Sequence, residues 1–213
     1  MQKVIVNSTE YVKQLFQREF SGHDFYHTMR VYNLATRIAK CENANIEIVQ
    51  LVALLHDVDD FKLSPQTHAT KANARNFLLQ NNVDQAVVEQ ICQMIEEISF
   101  VGTDTVVPQT LEGKCVQDAD RLDAIGAIGV ARAFAFGGNH NRLMYDPNDA
   151  PKLNMTKEQY RSSKSNTINH FYEKLFHLAE LMNTPTAKAI AHERHCYMQQ
   201  FVEQFLAEWS GEK

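Results

Sequence analysis

"NIEIVQLVALLHDV", residues 45–58, decides the class of fold before any other stretch does. Wound at about 3.6 residues per turn it is apolar almost all round, the mark of a helix covered by several neighbours, and Asn45 stands where its side chain can cap the first turn. Such a helix is central, so others must pack around it. Yet its C-terminal end carries His56 and Asp57, with Asp59 and Asp60 close behind. Taking one unpaired carboxylate out of water is costly, so this end is either hydrated or holds a cation, a proton or a hydrogen-bond network.

Outward from that helix the same period recurs. His27, Val31, Leu34 and Ile38 fall at i, i+4, i+7 and i+11, which predicts a helix over about 23–40 with His27 on its inward stripe. A helix is expected over about 67–81, and Val87, Ile91, Met94, Ile95 and Ile98 form the stripe of another over about 84–98. Residues 99–110 read as a loop, and Leu111 to about Phe136 as one long helix rich in Ala and Gly. Glycines, prolines and mixed polarity over 137–154 suggest a mobile flap. Thr156 with Gln159 makes a capping box opening a helix to about Met182, and Thr184 before Pro185 opens a last helix ending near Gly211. Alternating strand patterns are nearly absent, so the expected fold is all-α. We read a single-domain helical bundle over 1–213, with a metal-site core at about 20–136, the flap at about 137–155 and C-terminal helices at about 156–210.

Composition narrows the function. Of 213 residues 44% are hydrophobic, and a net charge of -5 disfavours a general nucleic-acid binder, which needs a basic footprint. Cys41, Cys92, Cys115 and Cys196 form no CxxC pair and sit in apolar contexts, as reduced core thiols of a cytoplasmic protein would. No stretch has the apolar run of a membrane span or a secretory leader, so no membrane partner is expected.

Three separate helices now offer metal-ligand types: His27, the pair His56 and Asp57, and an aspartate of "QDADRLDA". Two imidazoles with two carboxylates suit Mn, Fe, Co, Ni or Zn better than Ca, and leave room for bound water. Neighbours on a helix point about 100° apart, so His56 and Asp57 reach one ion only from a helix end. Asp118 and Asp120 lie roughly 200° apart and cannot both face it. Asp120, which shares a face with Val116, is the chosen ligand, Asp123 the runner-up, and Asp118 is expected to face solvent or orient a neighbour.

His27, the His56–Asp57 pair twenty-nine residues on, and Asp120 in "DADRLDAIGA" resemble the H…HD…D signature of the HD-domain metal-dependent phosphohydrolase superfamily. "GHDFYH", "LLHDVDDFK", "ISFVG", "DADRLDAIGAIGVARAF" and the closing "HFYEKL" and "MNT" extend the resemblance to small bacterial single-domain members, from about residue 20 to the C-terminus. The resemblance implies an all-α bundle with one divalent ion, Mn first and Ni, Co, Fe, Zn or Mg as alternatives. It also implies hydrolysis of (deoxy)nucleoside triphosphates to monophosphate and pyrophosphate. Relatives that cut cyclic dinucleotides carry a paired HH for a second metal, which this chain lacks. Those acting on guanosine tetraphosphate carry HD-x-x-ED, to which His56-Asp57-Val58-Asp59-Asp60 is similar in position. Alternatives are therefore that substrate, a 5'-nucleotidase, a deoxynucleotide triphosphohydrolase, or a non-enzymatic helical module holding a metal. The expected partner is a small phosphorylated molecule, a nucleotide by preference, with a homodimer left open.

Roles follow from spacing. Asp60, three residues after Asp57, is placed to orient water or move a proton, with Asp59 as the alternative. Lys62 just beyond, and Arg30 one turn after His27, could neutralise developing phosphate charge, with Lys71, Arg75 and Arg121 as further candidates. His23 and Asp24 precede His27 by one turn and could orient it, and the flap carries His140 and Arg142. The blander readings are a hydrated helix end for Asp59 and Asp60, and plain surface charge for the basic residues.

Overall fold

The computed structural model describes residues 1–17, 24–61, 63–98, 106–153 and 165–213, and all regular structure among them is helical. The chain divides into two compact units, Met1–Asp120 and Arg121–Lys213. The first holds α1 (Gln2–Leu15), α2 (Phe25–Glu42), α3 (Ile46–Leu55), α4 (Ala72–Gln80), α5 (Gln85–Ile98) and most of α6 (Leu111–Asp123).

α3 is the axis of this unit, packed against α1, α2 and α5. Val49, Leu51, Val52, Ala53, Leu54 and Leu55 are wholly buried, and each Leu contributes roughly 1.5–3 kcal/mol by leaving water. The Asn45 cap behaves as the sequence suggests, and Asp24 proves to be a second cap that it does not single out. The Asn45 side chain accepts from Ile48 N–H at 3.3 Å, and Asp24 accepts from His27 N–H at 2.7 Å to open α2. α1 was not anticipated: its inward stripe is only Ile5, Ser8 and Val12, too thin to stand out by periodicity.

The second unit contains α7 (Gly126–Asn139), a helical run α8 over 167–181, and α9 (Pro185–Trp209). α8 opens as α-helix over Thr167–His170, widens to a π-turn over Phe171–Leu175 and tightens to a 3-10 turn over Ala179–Leu181. Phe171, fully buried, lies against Phe134 and stacks on Phe201 at a centroid distance of 6.0 Å. Thr184 caps α9 by accepting from Ala187 N–H at 3.3 Å, with Pro185 at the first helical position as expected.

Several expectations are corrected. The single helix expected from Leu111 to Phe136 is two, because Ile125 is extended and Gly126 takes φ 77, where a Cβ would also meet the Arg194 stem at 2.9 Å. Arg194 in turn donates to the Leu122 carbonyl at the end of α6. Within the span read as a flap, Leu143 O and Met144 O accept from Thr167 N–H and Ile168 N–H, both at 3.0 Å, and Asp149 O accepts from Asn169 Nδ2 at 2.7 Å. The Thr156–Gln159 box lies outside the described residues, and Asn166 caps the described start of α8. All four cysteines are free thiols, but only Cys92 and Cys115 are buried, while Cys41 is exposed. Burial, with Asp118, Glu42 and Glu112 nearby, pushes the Cys115 thiol up to about 12. Among the described residues no helix is long and apolar enough to cross a membrane.

Candidate metal centre

At the end of α3 the chain exchanges α-helical bonding for tighter turns. Val58 N–H donates to Leu55 O at 3.3 Å and Asp60 N–H to Asp57 O at 3.0 Å. His56 still has αR backbone angles (φ -60, ψ -33), so it and Asp57 reach one point from the end of the helix rather than from a shared face. Asp57 Oδ2 stands 3.2 Å from His56 Nε2 and 3.4 Å from His27 Nε2, and Asp120 Oδ1 lies 3.5 Å from His27 Nε2. His27, His56 and Asp57 are buried, whereas the Asp120 side chain is 28% exposed and opens the cluster to solvent. The His27 and His56 rings meet at a centroid distance of 5.4 Å, inclined by 62°.

The donor set fits a divalent ion. Ligands at ~2.1 Å from an ion in tetrahedral or octahedral arrangement stand roughly 3.0–3.5 Å from one another, the range these nitrogen–oxygen pairs occupy. His56 Nδ1 lies 2.8 Å from Ala53 O and must carry a proton to bond there, so in the neutral ring Nε2 bears the lone pair. That buried Nε2 has no hydrogen-bond partner of acceptable geometry and faces a carboxylate oxygen. With a neutral ring this sets acceptor against acceptor in a buried place, which a metal cation or a proton on Nε2 relieves. Nδ1 bonded to a carbonyl while Nε2 faces the ion is also the usual outer support of a metal-ligating histidine. Burial opposes charging His56, but the carboxylates of Asp57 and Asp120 outweigh it and hold its pKa above the ordinary imidazole range.

The remaining candidates are placed as follows. Asp59, 2% exposed, is no hydrated helix end: its carboxylate accepts the backbone N–H groups of Asn73 and Ala74. Asp60 is partly exposed on the same turn as Asp57, and Arg30 is partly exposed on α2. Lys62 and His23 lie outside the described residues. Lys71 is buried, donates to His68 O at 2.6 Å and pairs with Glu96. Arg75 pairs with Glu89, and Arg121 donates to the Leu181 carbonyl. Asp118 is wholly buried, which overturns the solvent-facing alternative and leaves the orienting one: Cys115, Val116, Gln117 and Ala119 around it are buried too, so this stretch of α6 has no wet side. Asp123, the runner-up ligand, is paired with Arg132. Sequence reasoning missed Asn73 and His68, which hold the turn after Asp57. They act across nine to fifteen residues, where no periodic signal reports them.

Residues 24–125, which include all four candidate ligands, match the HD domain family. The chain is 43% identical to a protein of Lactobacillus plantarum of known structure, over 99% of each chain with a TM-score of 0.81. It is 39% identical to an HD-superfamily hydrolase of Bacillus thuringiensis, over 98% of each chain with a TM-score of 0.77. This chain belongs to the HD superfamily of hydrolases. As a member it is a metal-dependent phosphohydrolase, and its His-His-Asp group could hold the metal. It is also 33% identical to Bacillus subtilis YpgQ, whose crystal structure was solved in complex with ADP, over 97% of this chain and 95% of that one with a TM-score of 0.77.

Proposed function

We propose that this HD-superfamily member cleaves (deoxy)nucleoside triphosphates to monophosphate and pyrophosphate, using one divalent ion, Mn by preference, held by His27, His56, Asp57 and Asp120. The observation that carries the reading is Asp57 Oδ2 standing within 3.4 Å of two buried imidazole nitrogens, an arrangement that a bound cation satisfies. The ADP complex of YpgQ supports a nucleotide as the ligand class. When bound, a divalent ion supplies a polarised phosphoryl oxygen and a water acidified towards neutrality. The protein does the rest. His27 and His56, locked by burial on α2 and at the end of α3, fix where the reacting phosphate must lie. Asp60, on the same turn as Asp57 and partly open to solvent, orients the attacking water and receives its proton. Arg30, one turn along α2 from His27, meets the charge that develops on the phosphate, with Lys62 as a second cation. Lys71 and Arg75, paired with Glu96 and Glu89, serve these acidic partners before any substrate.

The test strips the protein of metal, restores Mn, Mg, Ni, Co or Zn singly, and offers a nucleotide panel with the products identified. Pyrophosphate with a nucleoside monophosphate is expected. Orthophosphate, or intact triphosphate with a nucleoside, assigns a different bond. A folded, metal-bound protein that turns over none of the panel defeats the nucleotide reading.

A further inference from the structure

Asp59 stands between the candidate ligand Asp57 and the candidate proton acceptor Asp60, yet its carboxylate is committed elsewhere. Oδ1 accepts Asn73 N–H at 3.1 Å and Oδ2 accepts Ala74 N–H at 3.0 Å. Both amides belong to the first turn of α4, which leaves them without helical partners. Lys71, at the N-cap position, has φ 51 and makes no side-chain capping bond, so Asp59 caps this helix from a distant point in the chain. The same region reaches back: Asn73 Nδ2 donates to Val58 O at 2.8 Å and to Thr67 Oγ1 at 3.1 Å, and His68 Nδ1 donates to Asp59 O at 2.9 Å. Val58 and Asp59 are thus held by four hydrogen bonds in the two positions directly after Asp57.

We propose that Asp59 is a positioning residue of the metal centre. It clamps the turn after α3 to the start of α4, so that His56 and Asp57 keep the backbone directions in which their ligand atoms converge. This rests on reading His27, His56, Asp57 and Asp120 as the ligands. It replaces the proton-moving role that the position of Asp59 in sequence suggests, since both of its carboxylate oxygens already accept backbone N–H groups.

The experiment titrates Mn into the full chain, following free Mn by electron paramagnetic resonance, and records the visible spectrum of the Co-loaded protein. Asp59→Ala should weaken Mn binding about 10–100-fold and alter the Co spectrum while helical content is retained. Asp59→Asn, which keeps the shape and one acceptor oxygen but turns an NH2 toward the other amide, should recover only part of that loss. Thr184→Ala removes a helix cap of the same kind from α9. It should lower the melting temperature and leave both metal readouts at the wild-type level. Wild-type affinity in Asp59→Ala, or equal weakening by Thr184→Ala, overturns the proposal. Should Asp59→Ala fail to fold, Asn73→Ala decides it: weakened Mn binding supports the clamp and wild-type affinity refutes it. A wild-type protein that takes up no metal overturns the ligand reading and this inference together. Metal uptake unchanged by Asp59→Ala overturns this inference alone.

Discussion

One cluster of the first unit departs from the way charges are buried in the second. In Arg121–Lys213 the charges meet their complements: Asp123 pairs with Arg132, Arg121 donates to the Leu181 carbonyl and Arg194 to that of Leu122. In Met1–Asp120 the buried cluster at the end of α3 sets a carboxylate against two imidazole nitrogens, one of which already bears its lone pair inward. Burial of polar atoms therefore does not mark a functional site. What singles out a candidate site is acceptors turned toward one another, an arrangement that a metal cation or a proton would relieve.

That contrast can be broken most sharply at Asp57. Asp57→Ala should abolish Mn uptake and lower phosphohydrolysis by on the order of 10³-fold or more, with circular dichroism showing the helices intact. A variant that stays active would place the centre elsewhere. The second unit should respond in stability instead. Phe171→Ala empties the middle of an aromatic cluster and should cost about 3–5 kcal/mol in denaturant unfolding, with Mn affinity of the folded protein unchanged. Asp123→Ala leaves Arg132, itself 28% exposed, without its carboxylate and should cost about 1–3 kcal/mol. Loss of metal in that variant would move Asp123 into the centre.

The smallest effect concerns a histidine that is kept uncharged. Burial, with Lys174 and then Arg142 nearby, lowers the pKa of His170 to about 3. The unfolded chain binds this proton near pH 6.5 while the folded chain refuses it, so stability is full above that value and is lost as pH falls toward 3. Between pH 7 and 5 the loss should be about 1–2 kcal/mol. Melting curves across that range should flatten in His170→Asn, and an unchanged slope would show that His170 charges without penalty.

Where a signal is local and periodic it can be read in the sequence. α3 is visible in its all-round apolar run and Asn45 as its cap, and the helix angles that favour Asp120 agree with its standing 3.5 Å from His27 Nε2. What could not be read depends on distant partners. "DAIGAIG" continues a helical pattern, and only Gly126 at φ 77 against the Arg194 stem reveals the break. Asp59 looks like one of several acids beside a ligand. Its partners, Asn73 and Ala74, stand fourteen and fifteen residues away with no spacing rule to announce them.

The bond from His56 Nδ1 to the Ala53 carbonyl has an electrical consequence. That carbonyl belongs to the last turn of α3, where aligned peptide dipoles gather about half an elementary charge of negative potential. The ring touches this pole with one nitrogen and turns the other to the cluster, so the helix end enriches the electron density of the donor atom. α3 carries one charged side chain, Glu47, in its first turn, where the opposite pole favours it. An apolar helix would thus bring a bound cation both a rigid mount and negative charge drawn from its backbone.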